Sequence, residues 1–101
     1  MPFKRKKSKK SSSKKIINAR PENYFILITG VPLKNIKELV NALENMNDWV
    51  FRHHVNSARN DFYTWIKEVL RESTLAQDIS TANDSKEMEY KILRYLVDKY
   101  V

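Results

Sequence analysis

The sequence predicts an α+β domain, mostly α, in which a short N-terminal β-hairpin packs on four or five short helices. Three observations carry that prediction. The run Tyr24-Phe25-Ile26-Leu27-Ile28-Thr29 is aromatic and β-branched and lies between Pro21 and Gly30. Downstream of residue 35, apolar residues recur at helical spacing in several separate segments. Asn, Asp and Ser residues stand immediately ahead of those segments, where the first backbone N–H groups of a helix need acceptors.

The apolar run reads as a strand covered on both faces, since a half-exposed strand should alternate apolar with polar residues. Gly30, the one glycine of the chain, supplies the turn into a second short strand, Val31-Pro32-Leu33. Pro32 lacks a ladder donor and places that strand at an edge. Asn35 with Glu38 three residues on forms a variant of the capping box, and Ile36, Leu39, Val40, Leu43 and Met46 follow on one helical face. Asn47 and Asp48 open a second helix, Trp49 to Val55, that closes near Asn56 or Ser57. Asn60 caps a third, with Asp61 in its first turn and Phe62, Trp65, Ile66, Val69 and Leu70 as its apolar face. Leu75, Ala76 and Ile79 make a further turn or two. After the polar linker Ser80–Asn83, Asp84 with Glu87 opens a C-terminal helix carrying Met88, Ile92, Leu93, Leu96, Val97 and Tyr100.

At 101 residues the chain has room for one small domain with a modest core. No run approaches the roughly eighteen apolar residues of a membrane-spanning helix, and the basic N-terminus is not followed by an apolar segment. A cytoplasmic, non-secreted protein is expected. The absence of cysteine fits a reducing compartment and removes thiolate metal sites, disulfides and cysteine nucleophiles.

The formal charge of +7 is unevenly placed. Residues 1–20 hold Lys4, Arg5, Lys6, Lys7, Lys9, Lys10, Lys14, Lys15 and Arg20 and no acid, whereas residues 21–101 hold ten Lys/Arg against twelve Asp/Glu. The chain thus divides into a basic Lys/Ser-rich arm, 1–20, and a single near-neutral domain, 21–101. With almost nothing to bury, the arm cannot offset the backbone entropy of ordering itself, and disorder is expected there in the free protein.

The segment Phe51 to Phe62 concentrates the chemistry-bearing residue types: His53, His54, Asn56, Asn60 and Asp61. A metal reading fails on geometry. Adjacent residues of a helix point about 100° apart, whereas shared ligands stand at i, i+3 or i, i+4, and no cysteine or third histidine completes a set. A hydrolase reading lacks a glycine-rich loop, a nucleophile elbow and paired buried acids. The economical reading is structural. The His54 ring packs inward with Phe51 and Val55, and a ring nitrogen bonds a backbone group or the cap near Asn60 and Asp61. Phe62 and Trp65 read as core anchors, and Trp49, beside a cap, as a candidate exposed contact. No catalytic residue, metal, cofactor or small-molecule substrate is expected.

The strand Tyr24–Leu27, Gly30, Leu33, Glu38-Leu39, Ala42-Leu43, Met46, Asp48, Phe51, His54-Val55-Asn56, Asn60-Asp61-Phe62 and Trp65-Ile66 together resemble an uncharacterised prokaryotic domain family. Its signature is Phe-x-x-His-Val-Asn-x-x-x-Asn-Asp-Phe-x-x-Trp. The resemblance spans roughly residues 23–80, leaves out the arm, and implies an α-rich fold without supplying a reaction.

For the arm, a polyanion is the partner that its charge selects. A polybasic stretch holds a membrane only with a second, apolar or lipid anchor, and Met1-Pro2 offers no myristoylation glycine. Nucleic acid is therefore expected, with lysines supplying charge rather than base-edge discrimination. A near-neutral body with a Lys/Ser extension resembles ribosomal proteins, whose tails thread between rRNA helices. The expected function is that of a small RNA-binding accessory protein, ribosome-associated and prokaryotic, of archaeal type, with rRNA and neighbouring ribosomal proteins as partners. Lys4 to Lys15 and Arg20 carry the electrostatics, and Arg52 and Arg59 add phosphate contacts. Two alternatives are a DNA-binding chromatin protein and a protein-interaction module that presents Trp49 or Tyr95 and Tyr100 while the arm aids solubility.

Overall fold

A computed structural model describes residues 16–100. A single 3-10 turn, Pro21–Asn23, leads into a two-stranded antiparallel hairpin, β1 (Phe25–Ile26) and β2 (Pro32–Leu33). Five helices follow: α1 (Ile36–Glu44), α2 (Asp48–His54), α3 (Asp61–Glu68), α4 (Ser73–Ile79) and α5 (Ser85–Tyr100). The architecture is the expected one, α+β and mostly helical.

The hairpin is tighter and more one-sided than its sequence implies. Gly30 N–H donates to Leu27 O at 2.7 Å and Leu27 N–H to Val31 O at 2.9 Å, and Gly30 takes φ +93°. That is a three-residue loop in which only the glycine position requires a left-handed backbone. Phe25 and Leu27 point into the core, while Ile26 and Ile28 are 56% and 46% exposed. The expectation of a strand covered on both faces is thus overturned. Two strands have only one face for the helices to cover, so alternate residues of the apolar run face outward.

Two helix starts use the same device. Asn35 accepts from Glu38 N–H at 2.8 Å while Glu38 Oε1 accepts from Lys34 N–H at 2.9 Å. Asp84 accepts from Glu87 N–H at 2.8 Å while Glu87 Oε1 accepts from Asn83 N–H at 2.8 Å. In both, the glutamate reaches one residue beyond the cap, satisfying an extra orphan donor and pinning the incoming loop. Asn60 caps α3 by accepting from Tyr63 N–H at 3.0 Å. Asn47 stands at the start of α2 but makes no side-chain cap bond. Its place is taken electrostatically by Asp48 in the first turn. The end of α3 is forced by Arg71, at φ +61°, a left-handed position held without a glycine.

One core joins the hairpin to all the helices. Leu39, Leu43, Phe51, Phe62, Ile66, Leu75, Ala76, Ile79, Met88 and Ile92 are fully inaccessible. Helix α5 lies against α1 and α4, and α4 against α3. Lys86 Nζ donates to Glu44 O at 2.6 Å, which places a cation on the C-terminal carbonyl of α1 and fixes the start of α5 to its end. Helix α5 differs from expectation on its outer side. Met88 and Ile92 are buried, but Leu93 and Val97 are 43% and 51% exposed. One side of a 3.6-residue repeat meets α1 and α4, and Leu93 and Val97 fall beyond that stripe.

The folded body also begins ahead of Pro21. Ile16 and Ala19 pack against the core, Ala19 N–H donates to Lys34 O at 2.7 Å, and Asn35 Nδ2 donates to Asn18 Oδ1 at 2.7 Å. The arm read as residues 1–20 therefore gives up residues 16–20 to the domain, because Ile16, Ile17 and Ala19 are the first residues of the chain after Phe3 with apolar surface, and Ile16 and Ala19 bury theirs against the core.

Candidate nucleic-acid interface

The histidine segment folds into the joint between α2 and α3. His54 is 4% exposed. Ile28 N–H donates to His54 Nε2 at 3.0 Å, and His54 Nδ1 lies 3.0 Å from Asp61 Oδ2. A ring nitrogen that accepts a backbone N–H carries no proton, so the ring proton sits on Nδ1 and is donated to Asp61. The imidazole bridges the hairpin turn to the first turn of α3. It packs on Phe25, at 5.0 Å between centroids, and on Phe62, at 5.3 Å. The Asp-His pair has the outline of a general base, but the Nε2 lone pair that such a base would offer to a substrate is spent on the main chain.

The neighbouring residues have equally definite tasks. Asn56 Nδ2 donates to Arg52 O at 3.0 Å and to His53 O at 3.3 Å, while its Oδ1 accepts from Ala58 N–H at 2.9 Å, closing α2 and starting the turn. Val55 and Asn60 form an isolated antiparallel bridge across that turn. Trp65 Nε1–H donates to Asn23 O at 2.8 Å, fastening the 3-10 turn to α3. Phe51 and Phe62 are fully buried. Phe51, His54, Val55, Asn56, Asn60, Asp61, Phe62 and Trp65 thus all take part in holding this corner of the fold. Among the described residues, no group of three or more His, Cys, Asp or Glu side chains is placed to hold a metal ion.

Of the sequence-predicted cations, Arg20, Arg52 and Arg59 fall among the described residues. Lys4, Arg5, Lys6, Lys7, Lys9, Lys10, Lys14 and Lys15 lie outside the described residues. Arg20 is exposed at the entry to the 3-10 turn. Arg52 Nε lies 3.4 Å from Asp48 Oδ1, with its guanidinium 5.4 Å from the Phe51 ring centroid. Arg59 Nε is 3.1 Å from Asp61 Oδ1, and its Nη2 donates to His53 O at 2.8 Å. Both guanidiniums are thus paired at the surface, Arg59 with the same aspartate that accepts from His54 Nδ1. The acid four residues before Arg52 and the acid two residues after Arg59 are the sequence signals for these engagements.

One polar cluster had no counterpart in the sequence reading. Glu72, immediately ahead of α4, accepts from the Tyr95 hydroxyl and from Lys99 Nζ, the latter at 2.9 Å to each oxygen. Burial and the hydrogen bond to Glu72 raise the Tyr95 hydroxyl above its ordinary value, against an opposing pull from Lys99. For Lys99, burial lowers the ammonium, but hydrogen bonds to Glu72 and Tyr95 outweigh it and the net shift is upward. Both groups hold their protons longer folded than unfolded. Their contribution to stability is therefore complete below about pH 10, the ordinary range of both groups, and is lost as pH rises through the folded-state values. Urea midpoints measured from pH 8 to 11 should fall more steeply for the wild type than for Glu72→Gln. Parallel pH profiles would contradict this role for the cluster.

No family model matches the chain, and neither does any curated protein or solved structure. Among the described residues, no helix is long and apolar enough to cross a membrane.

Proposed function

We propose that the chain is an RNA-binding accessory protein, a small prokaryotic, archaeal ribosomal component, whose basic arm contacts rRNA phosphates while the folded domain docks by shape. The observation that carries this reading is the separation of charge: nine basic residues and no acid in residues 1–20, ahead of a body in which acids outnumber bases twelve to ten. Such an arm gains affinity by releasing counterions from a polyanion, a gain that falls steeply with salt and discriminates little among sequences. Its lysines supply point charges, and arginine's paired donors are scarce there. The pairing of Arg52 with Asp48 and of Arg59 with Asp61 offsets their charge and moves the weight further onto the arm.

Deleting residues 1–15 should abolish co-sedimentation with ribosomes in moderate salt while leaving the helical circular dichroism unchanged. Undiminished co-sedimentation of the truncated chain would overturn the reading. Protection of duplex DNA from nuclease with no preference for ribosomal particles would instead identify a chromatin protein. The protein-interaction reading draws support from Trp49, 59% exposed at the start of α2. It loses Tyr95, whose hydroxyl is committed to Glu72. Binding through Trp49 would survive high salt, which screens an electrostatic tether.

A further inference from the structure

We propose that the folded domain holds a second RNA contact, a groove between α4 and α5 in which Tyr90 stacks a base of a single-stranded segment while Lys91 and Arg94 meet its phosphates. This rests on the RNA-binding reading and names the part of the domain that takes part in it. The groove is lined by Thr74 and Asp78 of α4 and by Tyr90, Lys91, Arg94, Tyr95, Asp98 and Lys99 of α5. Tyr90 is 63% exposed, the most exposed of the large apolar and aromatic side chains of the described fold, and stands directly beside Lys91. An aromatic face flanked by cations is the pattern by which proteins hold unpaired nucleotides, because every base has a π-face and every linkage a phosphate.

Two further observations favour this groove over the rest of the surface. Arg52, Arg59, Lys34, Lys86 and Lys99 each have a carboxylate within 4.0 Å. Lys91 and Arg94 have none among the described residues, a state shared with Arg20, Lys37, Lys67 and Arg71, but these two line the groove together with the exposed Tyr90. The arm also leaves the fold beside it. Ile16 and Ile17 sit in a recess with Leu70, Glu72, Leu75, Tyr95, Leu96 and Tyr100, so Tyr95 forms a wall shared by the root of the arm and the groove. Asp78 and Asp98 oppose phosphate in the groove, which makes Tyr90 the decisive contact and supplies a variant of opposite sign.

The test uses the full chain with a labelled single-stranded RNA and an RNA duplex, titrated over a range of salt. Tyr90→Ala should weaken single-strand binding roughly tenfold and change duplex binding by less than about twofold. Lys91→Gln with Arg94→Gln should reduce the slope of log affinity against log salt by about 1.4, two phosphates' worth on a single strand. Asp78→Asn with Asp98→Asn should tighten binding, an outcome that a damaged fold does not imitate. If the wild type binds RNA through the arm and the groove variants match it, the groove is not a contact and the RNA reading stands. A wild type that binds neither RNA overturns both.

Discussion

His54→Ala should lower stability by about 3 kcal/mol, read as a fall of more than roughly ten degrees in melting temperature. Two losses add. The Ile28 N–H loses the Nε2 acceptor that lies 3.0 Å away, and a part-buried donor without a partner costs about 1–3 kcal/mol. The imidazole also fills space between Phe25 and Phe62, so its removal leaves a void that the aromatic rings close only in part. His54→Gln should recover part of the loss, since its amide oxygen can take the Nε2 position toward Ile28. Wild-type stability in His54→Ala would show that the bridge between hairpin and helix is ornamental. Stoichiometric zinc in the purified wild type would reopen a ligand role for these histidines.

Phe62→Ala should cost about 3–5 kcal/mol, the largest effect expected of any single truncation in the fold. Phe62 is wholly inaccessible, stacks on Phe25 at 4.8 Å between centroids and approaches Phe51 at 6.3 Å. It is the point at which hairpin, α2 and α3 meet. In a domain with a total stability of about 5–15 kcal/mol, that loss brings a measurable unfolded population at ambient temperature. Phe62→Leu keeps most of the apolar volume and should retain a cooperative urea transition. A Phe62→Ala transition within about 1 kcal/mol of wild type would mean that this corner does not hold the core together.

Much of the fold was legible where the signal is local. Asn35 with Glu38, Asn60, and Asp84 with Glu87 announce their helices because a cap acts within one turn, and all three accept the expected backbone donors. Phe62, Trp65 and Ile66 fall on one helical face and are buried together. What the residues did not disclose is set by partners far along the chain. Glu72 gathers Tyr95 and Lys99 across separations of 23 and 27 residues, and nothing near Glu72 marks it as a hub. The acceptor on His54 for Ile28 lies 26 residues from its donor. The outward face of the hairpin carries isoleucines rather than polar residues, so alternation, the usual sign of a half-covered strand, is missing from Tyr24–Thr29. Leu93 and Val97 mislead in the same way on α5.

The candidate interface divides along the same line. The arm's charge is plain in the composition, but its cationic companions on the domain are a matter of which side chains are already engaged. Arg52 and Arg59 flank the histidines in sequence and are paired at the surface with Asp48 and Asp61. Lys91 and Arg94 carry no sequence signal beyond a helical spacing, and become distinctive only once α4 is laid beside them.

The seat of Ile16 among Leu70, Leu75 and Leu96 sets a geometric bound on the arm. Fifteen residues, however they are arranged, extend no farther than about 50 Å from their point of attachment. Every crosslink that forms from Lys4 to Lys15 must therefore fall inside a sphere of that radius centred beside the C-terminal end of α5. A crosslinking map of the bound state becomes a ranging measurement: the centre of the sphere that encloses the adducts locates the folded domain on its partner, and its empty sector gives the direction in which the domain faces away.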